Sequence, residues 1–243
     1  MENQLYIGLS RQVALRRQLD VVANNIANMN TVGFRGQRNL FETAMEAGGT
    51  KPTDRIAFTI DRATYIDLRP GAFSETGNPF DVALDGEGLL TVQTPDGLRY
   101  TRDGRMRRDA DGQIVSAGGH PVLDDGGRPV VIDADYSTVT ISADGLVSAD
   151  GDVIARLGVV RFENPQALEQ MGDLLFRAAD DGDAIPDRDT RLVQGKVERS
   201  NIQGVVEVTR LMELTRDYQA VTKMMEEGQD LLRTAISRLG KSQ

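Results

Sequence analysis

Near the end of the chain, apolar residues recur at every third and fourth position: Leu211, Leu214, Tyr218, Val221, Met225, then Leu232, Ala235 and Leu239, with Gly228 in the same series. This is an a/d heptad held for four repeats with no proline, and it has the period of a helix that packs along a seam. Ser200 followed by Gln203 has the spacing of a capping box, which places the helix start near residue 200. At about 1.5 Å per residue, about 35 residues make a rod of roughly 50 Å. A helix that long with so narrow a seam wants a second helix. The plainer reading is a long helix lying on a globular body. Gly228, at a d position, is expected to mark where another helix comes close.

The other end supplies a candidate partner. Residues 4–29 read as a second amphipathic helix, with Leu15, Leu19, Val22, Ile26 and Met29 spaced by fours and threes. Leu5, Leu9, Val13 and Ala23 widen its apolar stripe beyond one seam, so it can bury itself against more than one neighbour. Other copies of the chain are the simplest source of those neighbours. Asn24, Asn25, Asn28 and Asn30 interrupt this helix with side chains that compete for backbone hydrogen bonds. They read equally well as a fraying helix end or as amides that bond to adjacent subunits. Gly33 is a C-terminal stop.

Between the two helices the period changes. FRGQRNLFETAMEAGG extends or restarts a short helix to about Ala47, and IAFTIDRATYIDL alternates in strand fashion; together they read as an extended connector. From Gly71 to about Leu192 the pattern has period two, with strand-like runs DVALDG, LLTVQT, LRYTR, QIVSA, PVVI, TVTIS, LVSA and VIARLGVVRF. Asp-Gly occurs eight times, at 85, 96, 103, 111, 125, 144, 150 and 181. That dipeptide suits the positive φ angles of type I′ hairpin turns, so the middle is expected to be short antiparallel strands. ENPQALEQMG after Phe162 predicts one short helix. The expected fold is α+β: N- and C-terminal helices paired as a coiled-coil-like stem, with a central all-β antiparallel domain. The segments are a stem piece at 1–35, an extended connector at 36–75, the β domain at 76–192 and a second stem piece at 197–240.

Charge and composition narrow the function. The net charge of −9 is uneven: residues 1–40 carry +3, residues 196–243 carry +1, and the middle carries the remaining −13. So acidic a body repels phosphate backbones, so no nucleic-acid partner is expected. With one histidine, His120, and no cysteine, there are no disulfides, thiolate metal sites or Cys–His chemistry. No GxSxG elbow is present, no catalytic constellation emerges, and no cofactor or small-molecule substrate is expected. An acidic-site hydrolase would lack a placed nucleophile or acid–base pair. The better alternative is a calcium-dependent binding module, because DADG at 109–112 and ADGLVSADGD at 143–152 resemble pieces of calcium loops; as an EF-hand the first fails, since the twelfth position is His120. The N-terminus lacks the uninterrupted apolar core of a cleaved secretory signal, which leaves the cytosol or an export route without cleavage.

Three blocks then add up to a family. ANNIANMNTVGFR at 23–35 resembles the N-terminal signature of the bacterial flagellar rod and hook proteins. GAFSETGNPFDVALDGEGLLTVQTPDG at 71–97 and YTRDGRMRRDADGQIVSAGGHPVL at 100–123 resemble their central β domain. VERSNIQGVVEVTRLMELTRDYQAVTKMM at 197–225 resembles their C-terminal signature. Length and the single small β domain are most like the proximal rod branch, with the distal rod branch as the alternative. Where the family usually has an aromatic residue after DGEG, this chain has Leu89 and Leu90, which alters packing within the β domain.

The resemblance implies a non-enzymatic structural subunit of the flagellar basal body, in the periplasmic rod. It would be exported unfolded by the flagellar type III apparatus without a cleaved signal, and would polymerise to transmit motor torque to the hook. Its implied partners are other copies of itself, other proximal and distal rod proteins, and the export apparatus. The subunit-interface residues expected on the two helices are Leu15, Leu19, Val22, Asn24, Asn25, Ile26, Asn28 and Met29, with Leu211, Leu214, Tyr218, Val221, Met225, Leu232 and Leu239.

Overall fold

The computed structural model describes residues 2–47, 55–67, 69–178 and 184–239, with backbone alone at 2–6, 40–47, 55–64, 232, 235, 236, 238 and 239. The class is α+β: two long helices and many short strands. The chain divides into two units, one of Met1–Ala27, Gln37–Tyr65 and Gln203–Gln243, the other of Asn28–Gly36 and Ile66–Ile202.

The first unit holds helices α1 (Glu2–Ala27) and α2 (Gly204–Leu239) and the long strands β1 (Gln37–Ala47) and β2 (Arg55–Ile66), which pair as a two-stranded sheet. Gln37–Ala47 is therefore strand, not the expected short helix. Its run NLFETAM has β-branched and aromatic residues that fit a pleated ribbon as well as a helix face, and pairing with β2 decides between them. Helix α2 starts at Gly204 with Glu207 N–H donating to the Gln203 carbonyl, so the cap is Gln203. The expected capping box at Ser200 does not form: its hydroxyl instead accepts from Ile202 N–H at 3.3 Å.

The two helices run antiparallel. Gly8 lies against the Met225 side chain, and one turn later on α1 the Gln12 amide reaches back to Tyr218 and Thr222, each at 3.2 Å. Leu15, Val22, Leu214 and Val221 form the buried seam, with Leu19, Ile26, Leu211, Tyr218 and Met225 partly buried against them. Each fully buried aliphatic side chain contributes about 1.5–3 kcal/mol relative to exposure. The close approach of the helices falls at Gly8, where an added Cβ would stand 3.0 Å from Met225 Cγ. It does not fall at Gly228, where an added Cβ meets no atom within 4 Å among the described residues. Gly228→Ala should therefore stabilise α2 by about 0.5–1 kcal/mol, because it removes backbone freedom without a clash. Thermal unfolding followed at 222 nm, a wavelength set by helix amides, measures this; a lower midpoint would contradict an open site.

The second unit is built on antiparallel pairs. Strands β3 (Phe73–Glu75), β4 (Val82–Asp85), β5 (Leu89–Thr94), β6 (Gly97–Thr101), β7 (Met106–Arg108) and β8 (Ile114–Ser116) come first. Strands β9 (Val139–Ile141), β10 (Leu146–Ala149), β11 (Asp152–Arg156) and β12 (Val159–Phe162) follow. The last are β13 (Glu169–Gln170), β14 (Leu175–Arg177), β15 (Ala184–Pro186), β16 (Arg191–Gln194) and β17 (Lys196–Glu198). Six of them form a sheet in the order β13-β14-β6-β5-β12-β15, and three another in the order β11-β10-β9. Chain-distant pairs, β16 on β4 and β17 on β3, bind the end of the unit to its beginning. PVVI makes only isolated bridges, and VIARLGVVRF is broken at Leu157–Gly158 into β11 and β12. The segment after Phe162 gives two single 3₁₀ turns, Pro165–Ala167 and Gly172–Leu174, in place of one helix.

The Asp-Gly signal marks true hairpin chemistry at 150–151. Ala149 faces Asp152 across the turn, and Asp150 (φ 49°) and Gly151 (φ 99°) both occupy the positive region a type I′ turn demands. Strand β5 feeds two cores at once. Leu90 and Val92 enter the larger one with Val82, Leu84, Val122 and Ile132, while Leu89 joins Tyr100, Phe176 and Ile66 in the smaller. The paired leucines thus divide between opposite faces of one strand, as the period of two requires. Tyr100 meets Phe162 edge-on with ring centroids 4.8 Å apart, so an aromatic contact persists beside Leu89.

Candidate assembly surface

In the first unit, β1 begins with two residues that fasten the two helices. The Asn25 amide nitrogen donates to the Gln37 carbonyl and its oxygen accepts from Gln37 N–H, both at 2.9 Å. Asn25 is fully buried, so these bonds satisfy a backbone donor and acceptor that water cannot reach. The next residue, Arg38, places Nη1 3.2 Å from Glu207 Oε1 on α2. Glu207 sits four residues before Leu211, in line with the seam, and is 1% exposed.

In the second unit a fuller ionic cluster gathers segments far apart in sequence. Glu198, on β17, accepts Gly71 N–H on Oε1 at 2.7 Å and Arg102 Nε on Oε2 at 2.9 Å, and pairs ionically with Arg35, whose Nη2 lies 2.6 Å from Oε1. Arg102 also donates to the carbonyls of Gly88, Leu84 (3.1 Å) and Gly86 (2.6 Å). Burial pulls the Arg102 guanidinium below its ordinary pKa; the Glu198 charge opposes this, and the nearby Arg35 charge adds to it. Glu198 and Arg35 are completely inaccessible. Close by in the chain, Asn201 accepts from Gly36 N–H at 2.9 Å and donates to the Asp67 carbonyl at 2.7 Å. The Glu198 backbone carbonyl takes Gly33 N–H at 2.8 Å, and Gly33 (φ 72°) has Asp103 N where a Cβ would be, 2.6 Å away. Gly33 is thus fixed by close packing and a left-handed backbone, six residues beyond the helix end.

The expected interface residues fall into distinct places. Leu15, Leu19, Val22, Ile26, Leu211, Leu214, Tyr218, Val221 and Met225 meet one another within the chain, at the seam. Asn25 is spent on β1. Helix α1 ends at Ala27, so Asn28 and Met29 lie in the following turn, where Asn28 Oδ1 accepts from the Thr31 hydroxyl at 3.2 Å; Asn24 is exposed on the last turn of α1. The side chains of Leu232 and Leu239 lie outside the described residues.

What α1 and α2 leave open is a different set. Leu9 and Val13, one turn apart, are about half exposed on the side of α1 away from the seam. On α2, Val205 (83% exposed), Val208 and Met212 (57%) share one face, and Met224 and Leu231 (71%), seven apart, share another. A heptad reading selects the inner series and passes over this outer one. Extending the series four residues back from Leu211 lands on Glu207, the one signal that could have found the buried carboxylate.

The acidic turns serve the backbone. Asp109 accepts from Asp111 N–H and Gln113 N–H, which closes its turn, and Asp150 accepts from Ser137 N–H and Thr138 N–H, which ties its turn to the segment before β9. Among the described residues, no group of three or more His, Cys, Asp or Glu side chains is placed to hold a metal ion.

Comparison with known proteins agrees with this architecture. Residues 5–35 match the family described as flagella basal body rod protein, residues 83–149 the flagellar hook protein FlgE/F/G D1 domain, and residues 193–238 the flagellar basal body rod FlgEFG protein C-terminal. The chain is 41% identical over 246 residues to the flagellar basal-body rod protein FlgF of Caulobacter vibrioides, covering 99% of each. The chain belongs to the flagellar basal-body rod protein family. It is also 36% identical to FlgF of Mesorhizobium japonicum, over 99% of each chain, and 30% identical to FlgG of Bacillus subtilis, over 98% of this chain and 99% of that one. As a rod protein it is a structural subunit of the flagellum, located in the basal body. The N-terminal family block carries Asn25 and Arg35, and the C-terminal block carries Glu198, Glu207 and the α2 seam. The regions that define this rod protein by sequence are therefore also those that hold its buried polar ties.

Proposed function

We propose that this rod protein is a subunit of the proximal rod that self-assembles through its terminal helices and passes motor torque toward the hook. The seam of α1 and α2 acts as a coiled-coil-like stem within each subunit. The observation that carries the reading is the second apolar series: Leu9 and Val13 on α1, and Val205, Val208, Met212, Met224 and Leu231 on α2. Side chains this large, open to water in rows at helical spacing, mark a surface that is covered in an assembly. Neighbouring copies and other rod proteins cover it, and each apolar side chain so buried adds about 25 cal/mol per Å² removed from water. Asn24, Asn28 and Met29 follow one another at the end of α1 and beyond it, and serve as edge contacts, the two asparagines polar and the methionine apolar. With the seam residues occupied inside the chain, they support the stem and contribute to neighbours only indirectly.

The proximal assignment is supported by the two FlgF-named relatives above, 41% and 36% identical, against 30% for FlgG of Bacillus subtilis. Export proceeds unfolded through the flagellar type III apparatus into the periplasm, where a chain with no cysteine needs no oxidant to fold. Deleting the gene and examining purified basal bodies by electron microscopy tests the assignment. The expected result is a rod that stops short, without hook, restored by the wild-type gene in trans. Full-length rods in the deletion strain would refute it.

A further inference from the structure

We propose that Glu207 is a positioning residue that sets the register of α2 against α1 by pairing with Arg38; this holds whether or not the chain assembles as proposed above. The seam itself is ambiguous. It repeats large apolar residues at spacings of three and four, Leu211, Leu214, Tyr218, Val221 and Met225, against Leu15, Leu19, Val22 and Ile26. Sliding one helix by a heptad gives up the part-buried Gln12 bonds and the Gly8–Met225 approach but keeps large apolar residues opposed along the rest of the seam, and apolar seams of this sort distinguish poorly between registers.

Glu207 breaks that degeneracy. It occupies the seam position four before Leu211, is 1% exposed, and its Oε2 has no hydrogen-bond partner among the described residues. Its Oε1 lies 3.2 Å from Arg38 Nη1. Arg38 is itself held to α1, because the preceding residue, Gln37, gives both backbone polar groups to Asn25 at 2.9 Å. The chain of contacts is therefore Asn25 on α1, Gln37, Arg38, then Glu207 on α2: a fixed arm from one helix that reads one carboxylate on the other. A slide that carries Glu207 inward puts the carboxylate among Val22 and Leu19 with no base beside it. A slide outward brings an aliphatic residue to the arginine. A buried charged position that admits only one alignment is the best-attested use of such a pair.

A plainer role is possible for an acid in the first turn of a helix, namely favourable interaction with the helix N-terminus. Substitution by leucine separates the two. The chain has no cysteine, so cysteine pairs report alignment cleanly. Gln12→Cys with Thr222→Cys reports the observed register, since those side chains meet at 3.2 Å. Gln12→Cys with Thr215→Cys, or with Gln229→Cys, reports slides of one heptad either way. Full-length monomer, separated by size, is treated with a short bis-maleimide and the products are quantified.

With Glu207 in place, the 12/222 product should dominate. In Glu207→Leu the two shifted products should rise about tenfold or more while the helical melting midpoint is kept or raised, because a well-packed leucine replaces a buried ion. Arg38→Glu should show the same spread of products, and Arg38→Glu combined with Glu207→Arg should return the 12/222 pattern. Two results would overturn the proposal: an unchanged pattern in Glu207→Leu, or a lowered midpoint with the native pattern kept, which is the signature of an ordinary stabilising acid.

Discussion

Glu198→Ala should cost the second unit about 3–5 kcal/mol, the loss expected when one member of a buried ionic cluster is removed. Its carboxylate pairs with both Arg35 and Arg102, Asp187 adding only a lesser attraction to Arg102, and the three clustered side chains are essentially inaccessible. The alanine leaves two buried guanidinium groups facing each other with no intervening charge, and it also strips the acceptor from Gly71 N–H. Arg102 retains its bonds to the carbonyls of Leu84 and Gly86, so the strand ends around it stay partly ordered. Arg35 has no such reserve. Urea unfolding followed by far-ultraviolet circular dichroism measures the effect. A loss under about 1 kcal/mol, the range of exposed pairs, would mean that the cluster is not the anchor its burial implies. Loss of this size approaches the whole stability of many domains, so in cells the variant should accumulate poorly.

The second large effect concerns α2 and depends on which face is altered. Leu214→Asp places a carboxylate in the seam between Leu15, Val22 and Val221. It loses the buried side chain, worth about 2–5 kcal/mol, and adds an unpaired charge. The helices should separate and melt earlier, and swimming should stop. Met212, two residues away, is 57% exposed on the opposite face. Met212→Asp should leave the monomer within about 0.5 kcal/mol of wild type, as surface changes usually do. Yet it should also abolish swimming, because it charges the surface proposed to meet neighbours. The pair thus separates a stem defect from an assembly defect. Normal motility in Met212→Asp, alone and combined with Val205→Asp, would remove the outer row from the interface.

How much of this was legible beforehand varied with the physics involved. The two helices and their seam follow from periodicity, and the antiparallel strands from alternation and Asp-Gly turns, because those signals are local. The strand at Gln37–Ala47 was misread as helix, since a short apolar-rich run is settled by its pairing partner and not by its own pattern. The start of α2 was placed at Ser200, where a hydroxyl at the right spacing caps a different turn. On the assembly surface, the heptad drew attention to residues that the chain uses for itself and away from Val205, Val208 and Met212. The Arg35–Glu198–Arg102 cluster was illegible for a different reason. Its members stand 67 and 96 residues apart, and each alone reads as an ordinary surface charge.

The pairing of β16 with β4 and of β17 with β3 has a temporal consequence. Both pairs join residues more than a hundred positions apart, such as Arg191 with Asp85 and Lys196 with Glu75, and the α1–α2 seam spans nearly the whole chain. Contacts of that separation form late, since the intervening loop must close first. If the chain emerges end-first, as the export proposed above requires, the second unit closes only after Arg191–Glu198 have emerged, and the first only after α2 has. The topology works as a clasp whose last link is α2, so the fold is completed only when the latest-made part of the seam is present.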